Sequence, residues 1–251
     1  MKQIILAAGY ATRLHPLTEH TPKPLLPVGN QPMIEHVLAS SAAIGGKEGI
    51  DRTFVVTNEK FTGHFENWLA EYQKAQPDFN GAIINDGTTS NEDRLGAIGD
   101  LQLVLEQEAI DDDVLVIAGD NLFTGDLRGF GARCRETNAP VLGLYDVGSK
   151  DEARKYGVVA VGDDDRLTNF EEKPEESKST LIGIALYYYP RAMLPEISRY
   201  IKEGNNPDQP GRLVQWLYPQ QPVYTWTVPG DWLDIGSKET LEVANVLFAA
   251  R

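Results

Sequence analysis

The sequence contains little cysteine, few basic residues relative to acidic ones, and no long apolar run. Cys134 is the single cysteine, so an internal disulfide and a cysteine-rich zinc site are excluded. Lys and Arg number 23 against 37 Asp and Glu, and the formal net charge is −14. Proteins that bind nucleic acid or an anionic membrane surface need a basic face, so this charge argues against both partners.

The apolar segments are too short to place the chain in a membrane. None approaches the roughly 20 residues that a membrane-spanning helix needs. The apolar start is too short for a signal peptide, and no typical cleavage site follows it. We therefore expect a cytoplasmic enzyme or binding protein.

Two common phosphate-binding motifs are missing as well. The sequence has no G-x-x-x-x-G-K-[ST], which excludes a Walker A loop, and no G-x-G-x-x-G, which argues against a dinucleotide-binding turn. What it does have is the stretch LAAGYATRLHPLTEHTPKPLLP from Leu6 to Pro27, called the opening loop below. This loop is rich in proline and contains several cationic side chains.

The opening loop has the composition of an anion-binding segment. It follows a short apolar strand predicted over Lys2–Ala8, and ligands of open α/β sheets bind at the carboxyl ends of strands. Gly9 lets a phosphate approach the backbone, whose successive N–H groups can form a cradle. Arg13 and Lys23 add two positive charges, while the prolines stiffen the loop. An irregular loop with chance charges would have the same composition, so composition alone leaves both interpretations open.

Apolar runs alternate with segments of helical spacing over roughly the first 146 residues. Strands are predicted at Lys2–Ala8, Thr53–Thr57, Ala82–Ile84, Val114–Ala118 and Val141–Tyr145. Helices are predicted at Pro32–Ile44, Phe61–Ala75, Ala97–Glu108 and Leu127–Glu136. This alternation predicts an α/β fold with a doubly wound, mostly parallel (mixed), Rossmann-like sheet flanked by helices.

The pattern becomes more antiparallel after about Asp146. Strands are predicted at Gly157–Val161, Leu167–Phe170, Ile182–Tyr189 and Val223–Val228, and helices at Arg191–Lys202 and Ser237–Ala250. We expect these strands to form a smaller antiparallel layer that closes the pocket. No linker or repeat interrupts the chain, so residues 1–251 are predicted to form a single domain.

Five motifs occur along the chain in the order typical of one family. They are LAAGYATRLHPLT with Pro22-Lys23-Pro24, then Gly119-Asp120-Asn121, Tyr156-Gly157-Val158, Glu172-Lys173-Pro174 and Trp232-Leu233-Asp234-Ile235-Gly236. Together they resemble the sugar-1-phosphate nucleotidylyltransferases, NDP-sugar pyrophosphorylases that include the glucose-1-phosphate thymidylyl- and uridylyltransferases. Ala11 departs from the pattern, because a second glycine is commonest there.

The resemblance implies that a sugar 1-phosphate attacks the α-phosphorus of a nucleoside triphosphate, giving an NDP-sugar and pyrophosphate. Two polyanions must meet, so charge neutralisation and alignment are the main tasks of the site. By the resemblance, Arg13 binds the β- and γ-phosphates, Lys23 the α-phosphate and Lys173 the sugar phosphate. Asp120 and Asp234 hold Mg²⁺, which prefers a few hard oxygen ligands completed by phosphates and water. By the resemblance, the catalytic residues are therefore Arg13, Lys23, Asp120 and Lys173.

The resemblance also assigns the remaining binding residues. Those predicted to bind the nucleotide are Leu6, Ala7, Ala8, Gly9, Asn85, Gly87 and Gly119. Gly157, Glu172 and Lys173 are predicted to bind the sugar phosphate. The nucleotide-binding part then spans about residues 1–146, and the sugar-binding and metal part about 147–251. A homo-oligomer is left open.

The base and the acceptor stay open, because the base-binding segment departs from the family. Residues 85–97 read NDGTTSNEDRLGA and lack the Gln and Pro of the thymidylyltransferases. Their Asn-Asp start and Asn91 are similar to the cytidylyltransferases that act on phosphocholine or inositol phosphate. Two further alternatives are a glycosyltransferase, with a D-x-D at Asp111–Asp113 or Asp163–Asp165, and a non-catalytic protein that binds nucleotide sugars.

Overall fold

The computed structural model of the chain describes residues 1–46 and 49–249. Its strands β1 to β13 are Lys2–Leu6, Pro27–Val28, Gln31–Pro32, Arg52–Thr57, Gly81–Asn85, Val114–Ala118, Asn121–Phe123, Val141–Asp146, Gly157–Val161, Leu167–Glu172, Leu181–Tyr189, Tyr224–Thr227 and Trp232–Asp234. Its helices α1 to α8 are Met33–Ala42, Thr62–Ala75, Ala97–Gln107, Arg128–Thr137, Lys150–Ala153, Leu194–Lys202, Gly211–Leu217 and Lys238–Phe248.

A nine-stranded mixed sheet forms the centre of the molecule. Its first half is parallel, with β1 between β4 and β6 and with β5 outside β4. Ile4 and Ile5 of β1 have no exposed surface, which is typical of a parallel strand covered on both faces. The predicted α/β class and the central place of β1 are confirmed.

The antiparallel strands continue this sheet instead of forming a layer stacked on it. β11 pairs antiparallel with β6, placing Leu186 opposite Ile117, and it also pairs with β8 and β9. Leu186, Tyr187 and Tyr188 are all buried, so β11 has apolar contacts on both faces and suits the interior of a sheet. The expected smaller antiparallel part is therefore present, joined to the parallel part edge to edge.

Helices cover both faces of the sheet. Ile5 packs in one core with residues of α1, α2, α4 and α8, whereas Ile4 packs in the other core with residues of α3, α6 and α7. Successive side chains of a strand point to opposite faces, so β1 contributes to both cores. In residues 1–46 and 49–249, no helix combines the length and the apolar character that crossing a membrane would require.

Most predicted bounds differ from the observed ones by one to three residues. Val114–Ala118 and Gly157–Val161 are as predicted. The last helix begins at Lys238, because the Ser237 hydroxyl caps it by accepting from the Thr240 N–H. Its predicted end at Ala250 lies outside the described residues. The short strands β7 and β13 and the helix α7 were not predicted.

Candidate active site

The opening loop forms one wall of a cavity of about 470 Å³ at the carboxyl end of β1. We call this cavity the loop pocket. Its walls include Leu6, Ala7, Ala8, Gly9, Tyr10, Ala11, Thr12, Arg13, Lys23, Asn91, Arg94, Gly96, Ala97, Asp100, Asp120 and Asp208. Residues predicted to bind phosphate and base thus meet in one place, where the topology of an open α/β sheet puts ligands.

Backbone N–H groups of the opening loop are free to bind an anion. Within residues 1–46 and 49–249, the N–H groups of Gly9, Tyr10 and Ala11 donate to no protein acceptor. Ala11 has a φ of 48°, in the left-handed region that favours glycine, which explains why glycine is commonest there in the family. The loop is held from outside, since Asn58 donates to the Ala8 oxygen and Thr18 to the Ala11 oxygen, both at 2.8 Å.

Lys23 lies where the opening loop meets the ends of β6 and β13. Its ammonium contacts a carboxylate oxygen of Asp120 and donates to the Ile235 backbone oxygen at 2.9 Å. The Lys23 side chain is only 15% exposed, so solvent screens its charge less than that of a surface lysine. The ammonium therefore faces the cleft between the two strand ends.

Asp120 and Asp234 become neighbours through the pairing of β7 with β13. Asp120 follows β6, and in the antiparallel pair the next residue, Asn121, lies opposite Asp234. The Ile235 N–H donates to the Asp120 backbone oxygen at 3.2 Å, and the Trp232 indole donates to the Asn121 side chain at 2.8 Å. Two carboxylates more than a hundred positions apart in sequence thus enter one cleft.

The electrostatics of this cleft favour a cation. Burial, together with the negative charge of Asp120, raises the pKa of Asp234 to about 6, and the positive charges of Lys23, Arg13 and Lys173 oppose this shift. Three predicted cations therefore act on one carboxylate. Arg13 is exposed, and its guanidinium lies 3.8 Å from the position that a Cβ on Gly236 would take.

A second cavity of about 220 Å³ lies under the ends of β9, β10 and β11, and we call it the strand pocket. Its walls include Asp120, Tyr156, Phe170, Glu172, Lys173, Tyr187, Pro210, Gly211, Trp232 and Asp234. Asp120 and Pro210 also line the loop pocket, so the two pockets share a boundary. Each pocket has room for one substrate, with Asp120 between them.

The residues predicted to bind the sugar phosphate lie at one end of the β9–β10 pair. Gly157 pairs with Glu172, and a Cβ on Gly157 would lie 2.3 Å from the Phe170 ring, so no larger residue fits. Burial raises the pKa of Glu172, against the opposing charges of Lys173 and Arg212. The Lys173 N–H donates to the Tyr156 oxygen at 3.0 Å, which fixes the backbone of the exposed Lys173 beside the pocket.

Three predicted nucleotide-binding residues are not in the walls of either pocket. Asn85 donates to Glu59 and accepts from the Gly87 N–H at 2.9 Å. Asn85 and Gly87 therefore belong to one local turn. Gly119 packs on Pro24 and Ile5, where a Cβ would lie 3.1 and 3.2 Å from them. Their contact with a nucleotide stays a prediction.

Some residues of the loop pocket were not predicted. Arg94 forms a two-point ion pair with Asp208, at 2.9 and 3.2 Å, which joins the base-binding segment to the chain before α7. Asp100 lies in the first turn of α3. No motif in the sequence marks it as a functional residue. Only the departure of residues 85–97 from the family pattern pointed to this region.

The two D-x-D segments lie away from both pockets. At the amino end of β6, Asp112 contacts the chain's N-terminal amine at 3.2 Å, and Asp113 accepts from the Tyr188 hydroxyl at 2.6 Å. In the turn between β9 and β10, Asp165 pairs with Arg133 at 3.1 Å. These contacts are structural, so neither segment resembles the metal site of a glycosyltransferase.

Comparison with known proteins assigns the family. A profile of the nucleotidyl transferase family matches residues 2–250. The UTP–glucose-1-phosphate uridylyltransferase of Synechocystis is 30% identical over 94% of this chain and 60% of its own length. The bifunctional protein GlmU of Methanocaldococcus jannaschii is 26% identical over 98% and 53%. The glucose-1-phosphate thymidylyltransferase of Neisseria meningitidis is 27% identical over 97% and 81%. The chain thus spans 60% and 53% of the first two relatives.

Solved structures support the same assignment. A crystal structure from Bacillus anthracis, assigned as a glucose-1-phosphate thymidylyltransferase and containing sucrose, superposes with a TM-score of 0.84 at 26% identity. It covers 100% of this chain and 96% of the other. A UDP-glucose pyrophosphorylase complexed with UDP-glucose shares the fold, with a TM-score of 0.81 at 19% identity over 100% and 99% of the two chains. The chain therefore belongs to the nucleotidyl transferase family, as its motifs indicated.

Proposed function

We propose that the chain transfers a nucleotidyl group from a nucleoside triphosphate to a sugar 1-phosphate, giving an NDP-sugar and pyrophosphate. The observation that supports this proposal is the shared boundary of the two pockets at Asp120. The loop pocket offers free N–H groups and the cations Arg13 and Lys23, which suit a triphosphate. The strand pocket offers Glu172 and Lys173, which suit a phosphorylated sugar.

The reaction is one displacement at phosphorus. An ionised oxygen of the sugar phosphate forms a bond to the α-phosphorus, and the bond from that phosphorus to the bridging oxygen of the β-phosphate breaks. Pyrophosphate leaves with the electron pair, so no side-chain base is needed. In this proposal Arg13 holds the β- and γ-phosphates, Lys23 the α-phosphate and Lys173 the incoming phosphate, because each brings a positive charge to the cleft around Asp234.

Neutral parts of the substrates contact the remaining walls. Leu6, Ala7, Ala8 and Gly9 would face the nucleoside, because they line the loop pocket from the last residue of β1 onward. Glu172 lines the strand pocket, and Gly157 pairs with it outside the pocket walls; both would bind sugar hydroxyls, for which a carboxylate and a backbone N–H are suitable partners. We keep residues 1–251 as one domain, with the nucleotide-binding part at about 1–146 and the sugar and metal part at about 147–251.

Asp120 and Asp234 fit a Mg²⁺ ion that phosphates would help to bind. Mg²⁺ is commonly held by one or two carboxylates with substrate phosphates and water. Within residues 1–46 and 49–249, no group of three or more His, Cys, Asp or Glu residues could hold a metal. The raised pKa of Asp234 reflects its burial and the negative charge of Asp120, and a bound cation would offset both. When bound, the ion would neutralise charge on the phosphates.

The named relatives narrow the substrates that we propose. Relatives are called uridylyl- and thymidylyltransferases of glucose 1-phosphate, so we propose UTP or dTTP as donor and a hexose 1-phosphate as acceptor. A panel of the common nucleoside triphosphates against glucose 1-phosphate, N-acetylglucosamine 1-phosphate and phosphocholine, scored by pyrophosphate release, tests this choice. Release only with CTP and phosphocholine would favour the cytidylyltransferase. Binding of an NDP-sugar without any release would indicate a non-catalytic relative.

A further inference from the structure

A pair of buried carboxyl groups lies behind the base-binding segment of the loop pocket. Asp86 follows β5, and its Oδ1 accepts from the Thr88 N–H at 2.7 Å and from the Thr88 hydroxyl at 2.8 Å. Asp100 comes from the first turn of α3 and is only 6% exposed. Oδ2 of Asp86 and Oδ1 of Asp100 are fully buried, and as acceptors they have no donor among the described residues.

One proton shared between the two carboxyl groups would satisfy both of these buried oxygens. The two side chains are neighbours that act on each other's pKa, and two buried carboxylates so placed repel each other when both are ionised. Burial first, and the charge of Asp86 second, raise the pKa of Asp100 to about 8. Burial also raises the pKa of Asp86, but the two hydrogen bonds from Thr88 oppose that shift, so a shared proton is favoured on Asp100, from where it can be donated to Asp86.

Asp100 thereby offers a neutral acceptor to the loop pocket. Its Oδ1 is the buried oxygen that lacks a donor, whereas its Oδ2 is not buried in this way, and the residue lines the pocket. The triphosphate would contact the cations and free N–H groups of the opening loop, so Asp100 is left for the uncharged part of the nucleotide. A uracil or thymine ring presents one donor, N3–H, between two carbonyl oxygens that an ionised carboxylate would repel. A neutral acid can accept from N3–H without that repulsion.

We propose that Asp100 is a base-specificity residue, whose outer carboxyl oxygen accepts the N3–H of uracil or thymine. Asp86 is a positioning residue, because it orients the Asp100 carboxyl and does not itself line the pocket. The proposal rests on the proposed function to the extent that the loop pocket holds a nucleoside triphosphate. It adds the group that selects an imide base over cytosine.

The test compares UTP with 3-methyl-UTP, which lacks the N3–H donor, in the wild type and in variants of Asp100. Wild-type protein should prefer UTP by about 100-fold or more, because a site built to bond a donor rejects the analogue without it. Asp100→Leu should reduce that preference about tenfold, mainly by weakening UTP. Asp100→Asn should keep it, since its amide N–H can donate to Asp86 while its oxygen faces the pocket. Glu106→Gln, on the same helix outside the loop pocket, is the matched control.

Both kcat/KM and equilibrium binding of each triphosphate should be measured, so that the two proposals can fail separately. UTP binding without pyrophosphate release would refute the proposed function, and the binding ratios would still test Asp100. The inference would be overturned if Asp100→Leu kept the wild-type preference for UTP over 3-methyl-UTP. It would also be overturned if the wild type preferred CTP to UTP. A change confined to UTP against dUTP would also overturn it, by assigning Asp100 to the ribose. Asp100→Ala replaces Asp100→Leu if the latter does not fold.

Discussion

Lys23 contacts the Asp120 carboxylate with the same ammonium that donates to the Ile235 backbone oxygen. One side chain of the opening loop therefore touches both strands that present the acidic pair. The contact links the phosphate-binding loop to the proposed metal site. A substitution in the opening loop should therefore alter the proposed metal site, and a substitution at the metal site should alter the loop.

Arg13→Ala should reduce kcat/KM by about 100-fold or more, as expected for loss of one charge-stabilising donor. The fold should be retained, because an exposed cation contributes little to stability. Steady-state kinetics and a thermal melt check both parts. Arg128→Ala, which removes an exposed arginine outside the pockets, is the control. Full activity in Arg13→Ala, or loss of folding, would give the loop a structural role only.

Lys173→Ala should act on the acceptor side. We expect a raised KM for the sugar phosphate and a nearly unchanged KM for the triphosphate, because Lys173 lines the strand pocket and not the loop pocket. Varying each substrate at saturation of the other separates the two constants. Lys178→Ala, an exposed lysine on the same segment, should change neither. The reverse pattern would mean that the two phosphate sites are assigned the wrong way round.

Asp120→Asn and Asp234→Asn should each remove most of the activity. The double variant should have only slightly lower activity than the less active single variant, because both substitutions remove a ligand of the same ion. Mg²⁺ with triphosphate should raise the Tm of the wild type and do so less in either variant. Asp231→Asn, an exposed aspartate next to β13, is a suitable control. Full activity in EDTA would contradict the shared metal site.

Stability should depend on pH through Asp100. Its pKa is about 8 in the folded protein and near 4 in an unfolded chain, so between these values the folded state binds a proton that the unfolded state lacks. Wild-type stability from this group is therefore present below pH 4 and falls as pH rises toward 8, by on the order of 5 kcal/mol at most.

The variant Asp100→Asn removes this titration. Its Tm relative to the wild type should rise between pH 5 and pH 8, and thermal melts across that range measure the difference. Glu106→Gln should show no comparable trend. A Tm difference that is constant with pH would mean that Asp100 does not hold a proton in the folded protein.

Much of the fold and of the central site could be predicted from local sequence. The apolar runs of β1 and β6 and the motifs around Lys23 and Asp120 are short-range signals, and the structure brings them together as expected. β7 and β13 were missed because each has only three residues, too few to show a period, and their pairing joins positions more than a hundred residues apart.

The Asp86–Asp100 pair was missed for a related reason. In the sequence, Asp86 is one of several polar residues in the segment 85–97, and Asp100 is one acidic residue near the start of a predicted helix. Their meaning depends on a contact between two elements and on burial, neither of which a single sequence displays. The Arg94–Asp208 ion pair was hidden in the same way.

The pairing of β13 with β7 joins residues that are far apart in the sequence, which has a consequence for the order in which the parts of the site are synthesised. A ribosome that has synthesised residues 1–146 has already made Asp120 and the opening loop, which contains Lys23. The second carboxylate and the Ile235 backbone oxygen that accepts from Lys23 follow more than a hundred residues after Asp120. The cations of the opening loop are therefore synthesised long before the chain can complete the acidic pair.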